Sequence, residues 1–436
     1  MGEAAGAPGW GWECRACGAT VSIATPMSWR CPNASATSPH HVLRLRQPLG
    51  GLPTRDSTNP FRAFQRQLAV DAFAAANGMS HGRRGELIEA TDAAVAAVAG
   101  TGFEVTPFAR ADELSAALGF SEDGGVWIKD ETSNVGGSHK ARHLFTILLH
   151  LLAVESLGSA PWAQGDRPPL AISSCGNAAI AASTLAAAVG WPIRVFVPPW
   201  AAASVTDVLD SLGATVQRCP RLPDDPPGDP CVHRFRAAVA AGAIPFSVQG
   251  PENAWCLDGG RTIGWEMVRQ FETVGGPPLD RIFVQVGGGA FAACVGAAFS
   301  MGGQRPTFHA VQTEGCAPLA RAWDLAQALP DGVRSAARHW PELMWPWEDE
   351  PRSAADGILD DETYDWLGIF DAMYASGGAP IVAAETDVLA AHRLASEHTT
   401  IPVSATGTAG LAGVLARRSD LAPDERIAVV FSGVAR

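Results

Sequence analysis

The chain has 436 residues, of which 47% are hydrophobic, and this is enough material for two lobes with a substantial core. Its formal net charge of −13 argues against a nucleic-acid partner, because phosphate backbones require clustered Lys and Arg. No stretch approaches the roughly 20 apolar residues of a membrane span, and residues 1–12 lack the charged and apolar regions of a signal peptide. We therefore expect a cytoplasmic protein with no membrane partner.

The first motif is a group of cysteines and histidines near the N terminus. Cys14-x-x-Cys17 is followed by Cys31 and then by the pair His40-His41. Three thiolates and one imidazole complete a tetrahedral zinc site of the structural kind. The fourth ligand is either His40 or His41, and we assign His41. The alternative interpretation is a degenerate motif whose cysteines are ordinary thiols.

Short apolar runs alternate with stretches of helical spacing along most of the chain. This alternation predicts parallel βαβ units, and the short apolar runs suit strands that are covered on both faces. We therefore expect an α/β enzyme. Strands are predicted at Val126–Ile128, Leu170–Ser173, Ile193–Val197, Ala214–Arg218, Arg281–Val286, Thr307–Val311 and Arg426–Phe431.

One lysine stands where the first of these strands hands over to a helix. The segment from Asn134 to Arg142 reads Asn-Val-Gly-Gly-Ser-His-Lys-Ala-Arg, and leucines and isoleucines then recur at helical spacing. Open α/β sheets bind ligands at such junctions. Because a desolvated lysine forms Schiff bases, Lys140 is a candidate covalent catalyst. The alternative is a solvated lysine with no chemical role.

Two later loops occupy the same kind of junction. Ser174-Cys-Gly-Asn177 follows the strand predicted at 170–173, and Gly287-Gly-Gly289 follows the strand predicted at 281–286. Glycines let backbone N–H groups approach an anion, and a helix N-terminus adds a positive dipole end. A reactive lysine combined with a phosphate-binding loop points to pyridoxal phosphate as the cofactor.

Together with the terminal segment Val429–Val434, these motifs resemble the pyridoxal-phosphate enzymes of the tryptophan-synthase-like fold (fold type II), nearest to threonine synthase and the threonine or serine dehydratases. The resemblance covers about residues 100–436. It implies a homodimer of two-lobed subunits built on open parallel sheets. The expected division is a cysteine-rich segment at 1–50, a large cofactor-binding lobe at 51–172 and 245–436, and a smaller mobile lobe at 173–244.

The resemblance also assigns roles to individual residues. It implies that Lys140 binds the cofactor aldehyde, that Asn177 contacts the 3′ oxygen and that Ser432 faces the pyridine nitrogen. The remaining assignments are the phosphate cradle of Gly287, Gly288, Gly289 and Ala290, and the substrate contacts of Ser138 and Ser174. For Arg142, two residues after Lys140, two roles stay open, which are contact with a substrate anion and a surface ion pair.

The expected activity is that of a pyridoxal-phosphate-dependent lyase or synthase acting by α,β-elimination or β-replacement, similar to threonine synthase. Threonine synthases carry a Thr and an Asp where this chain has Gly136 and Ala141. The lysine motif of the dehydratases is more similar to this segment of the chain. A threonine or serine dehydratase, or a diaminopropionate-type ammonia-lyase, is therefore the alternative. A catalytically silent regulator with a zinc-binding interaction segment is a further hypothesis, although such a protein has no chemical need for Lys140.

Overall fold

Three β-sheets organise the residues that the computed structural model describes, which are 9–35, 37–48, 51–52, 54–163 and 165–435. The first sheet is antiparallel and has the order β2-β1-β3. A tight turn joins β1 to β2, and Gly18 at φ 72° donates its N–H to the carbonyl of Cys14 at 2.9 Å. The strands of this sheet are β1 (Gly11–Cys14), β2 (Thr20–Ser22) and β3 (Leu43–Arg46).

The largest sheet has six strands in the order β12-β11-β10-β13-β5-β4, and its pairs are parallel except for β4 with β5. Its strands are β4 (Phe108–Arg110), β5 (Gly125–Asp130), β10 (Arg281–Gln285), β11 (Thr307–Thr313), β12 (Ile381–Ala383) and β13 (Arg426–Phe431). The helices before and between these strands are α1 (Pro60–Ala63), α2 (Ala69–Ala76), α3 (His81–Ala99), α4 (Asp112–Ala117), α5 (Lys140–Ser156), α9 (Cys256–Val274), α10 (Ala290–Met301), α11 (Pro318–Gln327), α12 (Trp340–Leu343), α13 (Trp366–Ser376), α14 (Glu385–His398) and α15 (Ala405–Ala416).

Both faces of this sheet are covered by helices, as the apolar strands require. Val284 and Val430 face a cluster built with α9, α10 and α13, whereas their neighbours Phe283 and Val429 face a second cluster built with α14 and α15. Successive strand residues therefore alternate between two buried layers.

The third sheet is wholly parallel, with the order β8-β7-β6-β9. Its elements are β6 (Leu170–Ser173), α6 (Asn177–Ala188), β7 (Ile193–Val197), α7 (Ala203–Ser211), β8 (Thr215–Arg218), α8 (Pro230–Ala240) and β9 (Ile244–Pro245). The lobe boundary expected at 172/173 lies inside β6, which is a central strand of this sheet. The loop before α6 follows this strand directly.

The α/β class with parallel sheets is confirmed. Leu170–Ser173, Ile193–Val197 and Arg426–Phe431 form strands with the predicted bounds, and the other predicted strands differ by one or two residues at an end. No helix in the described part of the chain combines the length and the apolar character that a membrane crossing needs.

Candidate functional site

Lys140 is the first residue of α5 and is half-buried. A short 3-10 turn at Val135–Gly137 leads into the helix, and Gly136 and Gly137 adopt φ values of 71° and 72° that side-chain-bearing residues rarely take. Burial lowers the pKa of the Lys140 amine below its ordinary value, and the carboxylate of Asp360 partly opposes this shift. A lowered pKa leaves more of the amine neutral and nucleophilic at neutral pH.

The sequence contains only two lysines. The other, Lys129, is fully buried, and its Nζ donates to Glu266 Oε2 at 2.5 Å, to the Thr106 carbonyl at 2.7 Å and to Gln270 Oε1 at 2.9 Å. Lys140 is therefore the only lysine with an amine that is not held in a buried ion pair.

Arg142 lies two residues further along α5 and faces away from Lys140. Its guanidinium is fully buried, bonds to both oxygens of Glu131 at 2.9 Å and forms an ion pair with Glu266. Because both carboxylates hold it in the interior, the structure argues against the predicted contact between Arg142 and a substrate anion. The partner Glu266 lies on α9, and this long-range contact could not be read from the local sequence.

The C-terminal strand brings Ser432 and Gly433 beside the lysine segment. Ser432 Oγ accepts a hydrogen bond from the backbone N–H of His139 at 3.0 Å and lies 2.5 Å from Nδ1 of the same histidine. Gly433 has φ 110°, and a Cβ at this position would lie 2.9 Å from Nδ2 of Asn177. The end of β13 therefore joins the lysine segment to the first residue of α6.

The two predicted substrate serines lie at helix starts. Ser138 is 1% exposed, and its Oγ accepts a hydrogen bond from the backbone N–H of Lys140 at 3.4 Å. Ser174 is half-buried, and its Oγ accepts from the N–H of Gly176 at 3.5 Å. Both hydroxyls keep their own hydrogen available for a further acceptor.

The glycine loop lies at the start of α10, a 12-residue helix that begins after Gly289 without a side-chain cap. The backbone N–H of Gly288 donates a hydrogen bond to the carboxylate of Asp360. A Cβ at Gly287 would lie 2.3 Å from Asp360 Oδ2, so only glycine leaves room for this carboxylate. The loop thus already holds one anionic group, as expected of an uncapped helix N-terminus preceded by glycines.

Asp360 is a site residue that the sequence analysis did not identify. Burial raises the pKa of its carboxyl group, and the positive charge of Lys140 and the Gly288 N–H oppose this. The available signal was the acidic run from Asp360 to Glu362, which follows the segment Ala355–Gly357 after two residues. Nothing in that run indicates that it lies against a glycine loop some 70 residues earlier.

Further carboxylates surround the loop that follows β6. Desolvation raises the pKa of the Cys175 thiol, and the carboxylates of Asp356, Asp229 and Asp360 raise it further. Asp229 caps the N terminus of α8, one of the helices that accompany the four-stranded parallel sheet. The region that contains this loop, Asp360 and Lys140, which we call the cleft, is therefore acidic.

The predicted cofactor residues thus converge on one place. The carboxylate of Asp360 accepts the N–H of Gly288, and its charge acts on Lys140. Ser432 bonds to the N–H of His139, and Gly433 lies against the side chain of Asn177. An amine, an anion-binding loop and a hydroxyl fit an aldehyde cofactor that carries a phosphate and a ring nitrogen. A phosphate at this loop requires Asp360 to be protonated or to move aside, since two anions repel each other there.

A second group of side chains lies in the N-terminal sheet. The ligand atoms of Cys14, Cys17, Cys31 and His41 all lie within 4.8 Å of one another. Nδ1 of His41 lies 3.5 Å from the sulfurs of both Cys14 and Cys31, and the sulfurs of Cys17 and Cys31 are 3.6 Å apart. His40 is not part of this group, because its Nε2 lies 3.0 Å from Glu362 Oε2.

Several solved structures are similar to this chain. The processed form of threonine deaminase isoform 2 from Solanum lycopersicum is 18% identical, with 82% of this chain and 86% of that chain covered and a TM-score of 0.59. The diaminopropionate ammonia lyase of Escherichia coli is 16% identical over 81% and 89% of the two chains, with a TM-score of 0.60. Maize serine racemase is 18% identical over 80% and 93%, with a TM-score of 0.58. At these identities the likeness shows the fold alone.

No curated protein sequence matches the chain. A family model described as "Pyridoxal-phosphate dependent enzyme" matches residues 99–433, which include the lysine segment, both loops and the C-terminal strand. The chain therefore belongs to the family of pyridoxal-phosphate-dependent enzymes with the type II fold.

Proposed function

We propose that the protein is an amino-acid lyase that uses Lys140 for α,β-elimination, with β-replacement as the alternative outcome of the same first step. The observation that carries this proposal is the position of Lys140, which is the chain's one lysine outside a buried ion pair and lies beside the anion-holding glycine loop. The threonine deaminase and diaminopropionate ammonia lyase folds are compatible with it.

When bound, pyridoxal phosphate supplies an aldehyde for an imine with Lys140 and a conjugated ring that accepts electrons from the substrate Cα. With the cofactor bound, the Nζ of Lys140 would act as the base for the substrate Cα proton, and its lowered pKa suits this role. Ser432 would supply a neutral hydroxyl for the ring nitrogen. A hydroxyl does not hold that nitrogen protonated, so loss of a leaving group from Cβ is favoured over transamination.

The acidic cleft supports a substrate without a phosphorylated side chain. Threonine-synthase-like chemistry on a phosphorylated side chain needs a cationic subsite, whereas the charges that act on Cys175 come from Asp229, Asp356 and Asp360. We therefore favour a dehydratase or ammonia-lyase that acts on a small hydroxy or amino side chain over a threonine-synthase-like enzyme.

The first experiment is chemical trapping of the cofactor. The chain is loaded with pyridoxal phosphate, reduced with borohydride and mapped by peptide mass spectrometry. We expect the pyridoxyl group on Lys140, none on Lys129, and none on the Lys140→Ala variant after the same treatment. Labelling elsewhere, or a chain that binds no cofactor, sinks the proposal.

The second experiment identifies the substrate. L-Threonine, L-serine, 2,3-diaminopropionate and O-phosphohomoserine are supplied to the loaded enzyme, and 2-oxo acid, ammonia and phosphate are measured. Oxo acid with ammonia from one of the first three establishes the lyase. Release of phosphate with formation of threonine would instead support the synthase.

We propose that Cys14, Cys17, Cys31 and His41 are the ligands of a structural zinc ion. A tetrahedral ion about 2.3 Å from sulfur and about 2.0 Å from nitrogen separates two sulfurs by about 3.8 Å, and a sulfur and a nitrogen by about 3.5 Å. The distances of 3.6 Å and 3.5 Å in the structure agree with this. His41 Nε2 lies 3.1 Å from Ser38 Oγ, which orients the ring as partners of metal-bound histidines do.

A further inference from the structure

The N-terminal module, which we define as residues 9–35 and 37–48, is bonded to the elements that carry the catalytic lysine. The backbone N–H of Met27 donates to Nε2 of His150 at 3.0 Å, and His150 lies on α5, the helix that begins with Lys140. The indole N–H of Trp255 donates to the carbonyl of Ser28 at 3.2 Å. The ring of His150 stacks on that of Trp255 at 3.7 Å, so the module supports α5 and the start of α9 together.

The module also reaches the acidic segment of the cleft. His40 is 3% exposed, its Nε2 lies 3.0 Å from Glu362 Oε2, and its ring lies 4.7 Å from that of Trp340. His40 is adjacent in sequence to His41, the proposed histidine ligand of the metal. A metal that fixes the backbone at His41 therefore also fixes the point from which His40 reaches Glu362.

Glu362 lies two residues from Asp360, whose carboxylate accepts the N–H of Gly288 and acts on Lys140. The contact of His40 with Glu362 therefore lies two residues from the carboxylate whose charge acts on Lys140. We propose that the N-terminal metal site is a positioning element of the cleft in the cofactor-free protein, in which bound Zn²⁺ allows His40 to hold Glu362 and thereby keeps Asp360 on the glycine loop near Lys140.

This inference rests on the proposed role of Lys140 but can be tested without the cofactor. The ionisable groups that act on Lys140 are Asp360 and Cys256, and the histidines that Lys140 itself influences are His139 and His143. Burial keeps the pKa of both histidines low and that of Cys256 high, so all three are neutral near pH 7. Asp360 is then the charge whose displacement changes the titration of Lys140.

The experiment measures acylation of Lys140 by an amine-reactive ester as a function of pH in the full-length chain. Peptide mass spectrometry separates Lys140 from Lys129 and from the N-terminal amine. We compare the zinc-loaded protein with the protein stripped by a chelator, and we measure bound zinc in each. Removing zinc is expected to move the midpoint of Lys140 modification to lower pH by about 1 unit, because the charge that stabilises the ammonium has moved away.

The variants separate positioning from folding. Cys17→Ser, at an exposed thiol, should lose zinc and show the same shift, whereas Cys219→Ser, at a cysteine outside the group, should keep both zinc and the wild-type midpoint. His40→Ala should keep zinc and still shift the midpoint. His40→Gln retains an N–H donor for Glu362 and should restore the wild-type value.

A chain that binds no zinc, or a midpoint that zinc removal and His40→Ala both leave unchanged, overturns the inference. If the zinc-free protein fails to fold, the inference is still tested by the midpoints of Lys140 modification in the zinc-loaded His40→Ala and His40→Gln variants. Failure of the proposed function has a different signature, which is the absence of cofactor trapping at Lys140 while the zinc-dependent shift persists.

Discussion

The hydroxyl of Ser432 and the imidazole of His139 form a buried pair, in which Ser432 Oγ lies 2.5 Å from Nδ1 and accepts the backbone N–H of the same histidine at 3.0 Å. The ring of His139 stacks on Phe291 at 4.1 Å, and burial keeps its pKa well below the ordinary value. Its Nε2 is buried and has no hydrogen-bond partner among the described residues. Because an orphaned N–H costs more than an orphaned lone pair, the proton belongs on Nδ1 and points at Ser432. Ser432 is then left with its own hydrogen free for an acceptor such as an unprotonated ring nitrogen.

This pair predicts a coupled effect on cofactor binding. Ser432→Ala removes the donor and should weaken pyridoxal phosphate binding about fivefold, and His139→Phe should cost a similar amount because the hydroxyl is no longer oriented. The double variant should lose less than the sum of the two, which a thermodynamic cycle of dissociation constants measures. Strict additivity would show that the histidine does not act through the serine.

Asp360 predicts a pH-dependent cofactor affinity. Asp360→Asn removes the negative charge beside the glycine loop and should tighten cofactor binding about tenfold near pH 8, where the carboxyl is ionised in the wild type. Burial raises the pKa of Asp360, so the advantage of the variant should decrease as pH falls and the wild-type carboxyl becomes neutral. Dissociation constants measured by fluorescence titration across pH 5 to 8 test this. Glu314→Gln, at an exposed carboxylate that accepts the N–H of Glu385, is the matched control.

Gly433 should be intolerant of a side chain for a reason specific to the site. Gly433→Ala places a Cβ 2.9 Å from Asn177 Nδ2 and adds the cost of a φ of 110°, whereas Gly377→Ala also meets a positive φ, of 72°, but has no atom within 4 Å of the added Cβ. Both variants should lose about 1 kcal/mol of stability from the backbone alone. Only Gly433→Ala should also weaken cofactor binding, and equal dissociation constants for the two variants would contradict this.

Arg142 should be essential for stability. Arg142→Met leaves Glu131 and Glu266 without their buried partner and should lower the free energy of unfolding by about 3–5 kcal/mol. Urea unfolding measures this loss, with Arg269→Met, at an exposed pair with Glu272, as the control.

The same network predicts how acid destabilises the protein. Burial disfavours the Glu266 carboxylate, but Arg142 and Lys129 outweigh this and lower its pKa below the ordinary value. The resulting stability is fully present above the unfolded-state pKa and is lost as pH falls through the lower folded pKa. Unfolding free energies of wild type and Glu266→Gln should therefore converge as the solution is acidified below about pH 4.

The sequence predicts the parts of this protein that depend on local pattern. The central strands are continuous apolar runs, and their bounds at Ile193–Val197 and Arg426–Phe431 follow from that pattern. The sequence does not predict the three-residue edge strands β4 and β12. So short a strand is defined by its pairing with a neighbouring strand and not by its composition. The lysine and both loops are found through their position between a strand and a helix.

What the sequence does not reveal is which distant group each side chain meets. Arg142 follows Lys140 by two residues, yet it points into the interior because Glu266 on α9 lies there. Asp360 looks like part of a solvated acidic run until the fold brings it against Gly288. Both outcomes depend on contacts across more than 70 residues, and no local pattern encodes them.

The pairing of Lys129 with Glu266 has a consequence for selectivity. Aldehydes condense readily with amines, and a protein surface rich in lysine offers many competing places for a reactive carbonyl to be captured. This chain has thirty arginines and only two lysines. Lys129 is held in an interior ion pair with Glu266, and Lys140 is the other lysine. An aldehyde at low concentration therefore meets a single side-chain amine outside a buried ion pair, so that the proposed loading of Lys140 does not compete with adducts on other lysines.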